Sequence, residues 1–173
     1  VIWSRLSRDE RQAYSATYDY LSRMNVASYY DMTDAGVVSS DQKFKEEVTY
    51  ADARGNIKTL KRNGLYLTGS AWTVGQIDNL TYTTTSGTNK LASVIETAPT
   101  ASKSLGFSAG AGGTGYEYDA NGNLKKDTYK GITAIAYNYL NLPDKISVTN
   151  VASTNEVLQE NLYTPFGLEL GYA

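Results

Sequence analysis

The side chains that most often carry reaction chemistry are missing from this sequence. The 173-residue chain has no histidine and no cysteine, which excludes a Ser-His-Asp triad, a Cys-His dyad, disulfides, thiol redox chemistry and most zinc sites. Glu46 and Glu47 are the kind of carboxylate pair that hydrolyses glycosides, but adjacent residues on a strand point to opposite faces and do not converge on one bond. Asp119, Asn121 and Asn123 space their oxygens like part of a calcium loop, yet the full six-position set is missing, so turn formation is their expected role. The run Gly110-Ala111-Gly112-Gly113-Thr114-Gly115 is like a phosphate loop only in its glycine content, since it leads into Tyr116 and a strand with no Gly-Lys-Ser/Thr. No catalytic residue, no metal ligand and no cofactor is expected.

The elements that place these residues are hairpins. Tyr116-Glu117-Tyr118-Asp119-Ala120-Asn121-Gly122-Asn123-Leu124 recurs along the chain in reduced copies. Asp19 leads into Tyr20-Leu21-Ser22-Arg23-Met24, Asp52 into Ala53-Arg54-Gly55-Asn56-Ile57, and Tyr137-Asn138 into Tyr139-Leu140-Asn141-Leu142-Pro143. A weaker copy runs from Tyr82 and ends Asn89-Lys90-Leu91. Asp or Asn opens a type I turn because its side-chain oxygen accepts from a backbone amide two residues on. Asn121-Gly122 supplies residues that tolerate positive φ, Gly at least cost. Alternation before the turn puts Tyr116 and Tyr118 on one sheet face and Glu117 on the other. The structural turn motif therefore comprises Asp19, Asp52, Gly55, Asn56, Tyr116, Tyr118, Asp119, Asn121, Gly122, Asn123, Tyr137, Asn138 and Tyr139. Its turn acids and amide are 33, 67 and 19 residues apart. That is too uneven for a solenoid of fixed rungs and suits a continuous antiparallel sheet with hairpins of differing length.

These residues carry a family resemblance. T-Y-D-Y-L-S-R-M at 17–24, Y-D-A-N-G-N-L at 118–124 and Y-N-Y-L-N-L-P at 137–143 resemble the YD repeats of the Rhs family. Tyr163-Thr164-Pro165-Phe166-Gly167-Leu168 resembles a Y-Y-P-F-G-L segment near the Rhs core of Bacteroidetes-like members. The resemblance extends from the strand around Trp3 to Leu168. It implies a large hollow β-shell spiralling from long antiparallel strands. In relatives such as Tc-toxin C components, polymorphic Rhs toxins and teneurins, that shell encloses a variable C-terminal segment or presents an adhesive surface. Two departures stand out: Ala51 occupies the place of the tyrosine before Asp52, with Tyr50 one place early, and Asn138 replaces the acid. No Asp-Pro dipeptide occurs, since Pro99, Pro143 and Pro165 follow Ala98, Leu142 and Thr164, so no residues of the family's self-cleaving core carry over. The chain begins inside a repeat, without Met, and stops ahead of that core, so a fragment of a longer Rhs polypeptide is expected.

Composition agrees with strands. Fifteen tyrosines against 3 Phe and 2 Trp supply amphipathic rings that pack on one side and hydrogen-bond on the other. The net charge of −2, from 16 basic and 18 acidic residues without a basic tract, argues against a nucleic-acid partner. No apolar run reaches the ~20 residues that span a bilayer, and an export signal is expected outside this chain. The expected fold is all-β: antiparallel strand-turn-strand repeats in a single region over 1–173, forming part of a large curved or hollow shell. Strands are expected over 1–6, 12–18, 24–30, 44–50, 57–62 (stopping at Asn63-Gly64), 77–85, 91–97, 132–139 and 145–151. A mobile glycine-rich loop is expected over 106–115, and short helices only over 7–16 and 154–159.

Two function classes follow. The first is a non-catalytic wall segment of an Rhs-type secreted or cell-surface bacterial protein, enclosing or presenting a C-terminal toxin. The second is an extracellular adhesion module whose exposed tyrosines and asparagines contact glycans or another protein. An unrelated tyrosine-rich scaffold, such as part of a surface filament, is a third possibility. In each, open strand edges call for partners, either the rest of the polypeptide or neighbouring chains.

Overall fold

The computed structural model describes residues 2–5, 11–33, 36–39, 42–108, 113–149 and 154–172. Within them the chain is all-β and antiparallel, apart from two single-turn 3-10 helices, Lys103–Leu105 and Thr128–Lys130, that lie outside both spans where short helices were expected. The strands are β1 (Ile2–Arg5), β2 (Arg11–Tyr18), β3 (Met24–Thr33), β4 (Gly36–Ser39), β5 (Glu46–Tyr50), β6 (Ile57–Thr68) and β7 (Ala71–Thr84). They continue as β8 (Leu91–Glu96), β9 (Tyr116–Tyr118), β10 (Leu124–Asp127), β11 (Ile132–Tyr137), β12 (Pro143–Thr149), β13 (Asn155–Tyr163) and β14 (Glu169–Tyr172). One sheet runs β1-β2-β3-β5-β6-β7-β8, with β4 also on β3, and the other runs from β14 to β9 in unbroken reverse order. Contacts divide the chain into two compact units, residues 1–83 with 94–108 and residues 84–93 with 109–173.

In the first unit β2 pairs with β3 from Arg11↔Met32 to Tyr18↔Met24. That pairing overrides the short helix expected over 7–16, whose residues 7–10 lie outside the described set; residues 11–16 are extended. Strand β6 also continues through Asn63-Gly64, where a stop was expected. A register shift between Arg62 and Asn63 absorbs the break, and Gly64 leaves room for Ile77, whose Cγ2 lies 2.9 Å from where a Cβ would stand. Ala13, Tyr29, Val48, Leu80, Val94 and Ala98 are buried. Tyr29 meets Tyr14 and Phe44 edge-on, with ring centroids at 5.2 and 5.3 Å. Burial and a 2.5 Å hydrogen bond donated to Asp31 push the Tyr29 hydroxyl up to about 12.

Residues 96–107 form a strap over β7. Glu96 Oε1 accepts from the amides of Asn79 (2.9 Å) and Ala98 (2.6 Å). The buried Ser102 hydroxyl donates to the Gln76 carbonyl at 2.6 Å. Asp78, fully buried, accepts from Arg62 Nε at 2.6 Å and from the Phe107 amide at 2.5 Å. Gly106 sits directly against the Ile77 carbonyl and the Asp78 carboxylate.

Within the loop expected to be mobile over 106–115, residues 109–112 lie outside the described set and the flanks make close contacts. Besides Gly106 in the first unit, Gly113 in the second packs on the Tyr129 ring and Gly115 on the Ala92 carbonyl. The amides of Thr114 and Gly115 donate to Thr128 Oγ1 at 2.7 and 2.8 Å. Glycine marks close approach here, which composition alone does not distinguish from flexibility. The helix expected over 154–159 is likewise strand β13, paired to β12 from Lys145↔Glu160 to Thr149↔Asn155.

Candidate functional site

The turn motif has one repeated geometry. With the Asp, Asn or Thr at position 0, the amide of position 0 donates to the carbonyl of position 4, and the amide of position 3 to the carbonyl of position 0. These pairs measure 2.9 and 3.0 Å at Asp19, 2.9 and 3.1 Å at Asp119, 3.0 and 3.0 Å at Asn138, and 2.8 and 2.9 Å at Thr164. Position 3 is left-handed every time: Ser22 (φ 59°), Gly55 (94°), Gly122 (92°), Asn141 (59°) and Gly167 (82°). This is a type I turn closed by a left-handed residue, so Asn121, at position 2, keeps negative φ and only Gly122 needs the freedom expected of both.

The side chain at position 0 locks the turn. Its Oδ1 accepts from the amides of positions 2 and 4: Leu21 and Arg23 (2.9 and 3.0 Å), Arg54 and Asn56 (2.9 and 3.3 Å), Asn121 and Asn123 (2.9 and 2.8 Å), Leu140 and Leu142 (2.9 and 3.1 Å). A carboxylate has a second oxygen to satisfy, and position 4 supplies the donor. Arg23 Nε reaches Asp19 Oδ2 at 2.8 Å, Asn56 Nδ2 reaches Asp52 Oδ2 at 2.8 Å, and Asn123 Nδ2 reaches Asp119 Oδ2 at 2.9 Å. Where position 0 is Asn138 or Thr164, which lack that oxygen, position 4 is leucine (Leu142, Leu168). The side-chain donors, followed by the backbone amides, hold the Asp19, Asp52 and Asp119 carboxyls below their ordinary value despite some opposition from burial.

Tyrosines join four of the hairpins to the one before. The hydroxyl of the tyrosine preceding a turn donates to the carbonyl at position 5 of the previous turn: Tyr50 to Met24 (2.8 Å), Tyr137 to Leu124 (2.7 Å) and Tyr163 to Pro143 (3.0 Å). Tyr118 donates in the same way to Leu91, just after the 85–90 turn, at 3.0 Å. Within each hairpin the position-5 residue faces the tyrosine (Tyr18↔Met24, Tyr118↔Leu124, Tyr137↔Pro143, Tyr163↔Glu169), which turns its carbonyl outward to the next strand. The Asp52 departure is resolved by the same rule. Closure there runs from the Ala51 amide to the Asn56 carbonyl at 2.7 Å. Ala51 is thus one residue added to the loop, and Tyr50 does the joining.

Adjacent turns also touch. Arg23 lies over the Tyr50 ring at 4.1 Å and donates to the Asp52 carbonyl at 2.6 Å. Asn121 and Asn123 both donate to Asn141 Oδ1 at 2.9 Å, and the Tyr139 hydroxyl reaches the Pro165 carbonyl at 3.1 Å. Lys90 stands 5.6 Å over Tyr118. Burial, then the negative charge of Asp119, raises the Tyr137 hydroxyl above its usual value.

Three features escaped the sequence reading. Thr164 to Gly167 is a fifth turn of this geometry, with Thr164 Oγ1 accepting from the Leu168 amide at 3.0 Å; a glycine three places after a hydroxyl residue, preceded by tyrosine, was the available signal. The weak copy is a wider turn built on Thr85, Gly87 and Thr88, closed by the Thr85 amide on the Lys90 carbonyl at 2.8 Å. Each of the five regular hairpins also has an extra residue at position 6 of its outgoing strand. Asn25, Lys58, Lys125, Asp144 and Leu170 fall in the register shifts and stand unmatched. No sequence signal marks these bulges.

The motif residues come together as turn-forming and hairpin-joining groups, with Tyr116 packed against Tyr129 at 5.2 Å. Glu47 pairs with Lys45 at 3.0 Å and lines an open pocket of about 340 Å³ with Asn25, Thr49, Thr59 and Lys61, while alternation assigns Glu46 to the other face. No group of acids fit to hold a metal ion occurs among the described residues. No family model matches the chain, and no curated protein matches it closely enough to indicate descent.

Proposed function

We propose that this chain is a non-catalytic wall segment of an Rhs/YD-repeat shell in a secreted or cell-surface bacterial protein, enclosing or presenting a C-terminal toxin cargo. The observation that carries the reading is the tyrosine link: a hairpin whose first strand ends in tyrosine attaches by a hydroxyl to the carbonyl exposed by the preceding turn. Such a rule extends a sheet hairpin by hairpin without a rigid period, and the tyrosine and turn acid of the YD repeat each acquire a defined physical task. The bulge after every regular turn adds local right-handed twist and bends its strand, which favours a curved wall over a flat one. A wall needs paired edges and satisfied turns, and the aspartates at 19, 52 and 119 are occupied with their own backbones.

A binding role on the outside of such a wall draws support from the aromatic residues the turns expose: Tyr20, Tyr139 and Phe166 are 88%, 76% and 95% exposed. Rings of this kind stack on sugars or pack on proteins. Imaging the parent polypeptide by electron microscopy tests the first reading. A hollow particle that shields an internal segment from added protease supports it, and a solid particle with that segment freely cleaved overturns it. Saturable glycan binding lost on Tyr139→Ala, in a particle without a cavity, would establish the second.

A further inference from the structure

We propose that the open edge of β14 is a landing site for one further hairpin of the same chemistry, a strand ending in tyrosine directly before an Asp, Asn or Thr turn. The inference rests on the repeat reading above and extends it to a named contact. A regular turn exposes a position-5 carbonyl beside its own tyrosine, and after the Asp19, Asp119 and Asn138 turns the next hairpin's tyrosine takes it. The Thr164 turn repeats that arrangement through Tyr163↔Glu169, so the Glu169 carbonyl turns away from β13. No strand among the described residues pairs with the outer edge of β14.

The surface beside this edge is apolar. Leu162, Phe166, Leu168 and Leu170 are 52%, 95%, 68% and 66% exposed. In the second unit the equivalent turn before it is covered by its follower: Leu142, at position 4 of the Asn138 turn, approaches Gly167 of the next, whose Cβ would stand 3.4 Å from Leu142 Cδ1. Leu168 has the corresponding position, and no further turn among the described residues covers it. At the other end of the series, Tyr18 is 61% exposed, and its hydroxyl meets no partner among the described residues. It is the same chemistry seen from the incoming side. The occupant must therefore satisfy three things together: backbone pairing with β14, a tyrosine hydroxyl on the Glu169 carbonyl, and apolar cover for Leu168 and Leu170.

The test uses the whole chain and a labelled peptide copying residues 132–149, preformed as a hairpin by a terminal disulfide, with a second peptide carrying Tyr137→Phe. The expected result is saturable binding with amide protection along residues 169–172, weakened about fivefold by the missing hydroxyl. Absence of binding up to about 1 mM overturns the assignment, as does equal affinity of the two peptides or protection confined to another edge. If the chain instead pairs with itself through β14, equal self-association of the wild type and Tyr18→Phe is a further refutation. A parent that images as hollow while the peptide fails removes the landing site alone. A solid parent with the peptide bound removes the shell alone.

Discussion

Replacing Tyr137 with phenylalanine removes one oxygen and leaves the ring in place, which isolates the link between hairpins from packing. The hydroxyl donates to the Leu124 carbonyl at 2.7 Å from a half-buried side chain. A neutral hydrogen bond of this kind has a net worth of about 0.5–1.5 kcal/mol, and a carbonyl left partly buried without its donor adds to the loss. Water reaches part of the site, so about 1 kcal/mol is expected for Tyr137→Phe. The same reasoning applies to Tyr118 and Tyr163, whose bonds measure 3.0 Å each. The triple substitution should then cost roughly 3 kcal/mol if the links act independently. Tyr20→Phe is the internal control, because that ring is 88% exposed and surface changes of this kind fall within about 0.5 kcal/mol. Urea unfolding gives the free energies, and amide exchange over residues 116–163 locates the loss. If Tyr137→Phe matches Tyr20→Phe, or the triple variant loses less than about 1 kcal/mol, the hydroxyls do not join the hairpins and the reasoning fails.

Two further outcomes follow from other contacts. Asp19, Asp52 and Asp119 have carboxyls held below the ordinary value of 3.8 in the folded chain. Their stabilisation is complete above that value and is lost as pH falls through the folded ones; the Asn138 and Thr164 turns have no such proton to gain. Amide exchange on acidification below about pH 4 should therefore release Leu21, Arg54 and Asn121 before Leu140 and Leu168, and simultaneous release would contradict the turn chemistry. Gly106→Ala places a methyl against the Ile77 carbonyl and the Asp78 carboxylate, neither of which can withdraw cheaply. A loss of about 2–3 kcal/mol in urea unfolding is expected, against about 1 kcal/mol for Gly55→Ala, which meets nothing within 4 Å and loses only at its φ of 94°; equal losses would mean the strap is not packed as described.

The turns were legible because their forces are local. An Asp or Asn whose oxygen reaches amides two and four residues on, with a left-handed residue at position 3, is written in five consecutive letters. Asp19, Asp52, Asp119 and Asn138 could therefore be read without a fold. Thr164 was missed because threonine and proline hide the pattern although the backbone is the same. The two misread helices, over 7–16 and 154–159, failed for the opposite reason. Their short-range preferences are weak, and pairing to β3 and β12 decided the conformation.

By itself the sequence determined the all-β class, the places where the chain reverses, and the absence of histidine and cysteine chemistry. Each depends on residue identity or on bonds spanning a few residues. Only the tertiary structure decided which carbonyl each tyrosine reaches, that Tyr50 serves in place of Ala51, that a bulge follows every regular turn at position 6, and that the glycines at 106, 113 and 115 are points of close packing. Those outcomes depend on register between strands distant in sequence, where the same letters fit several pairings until the sheet selects one.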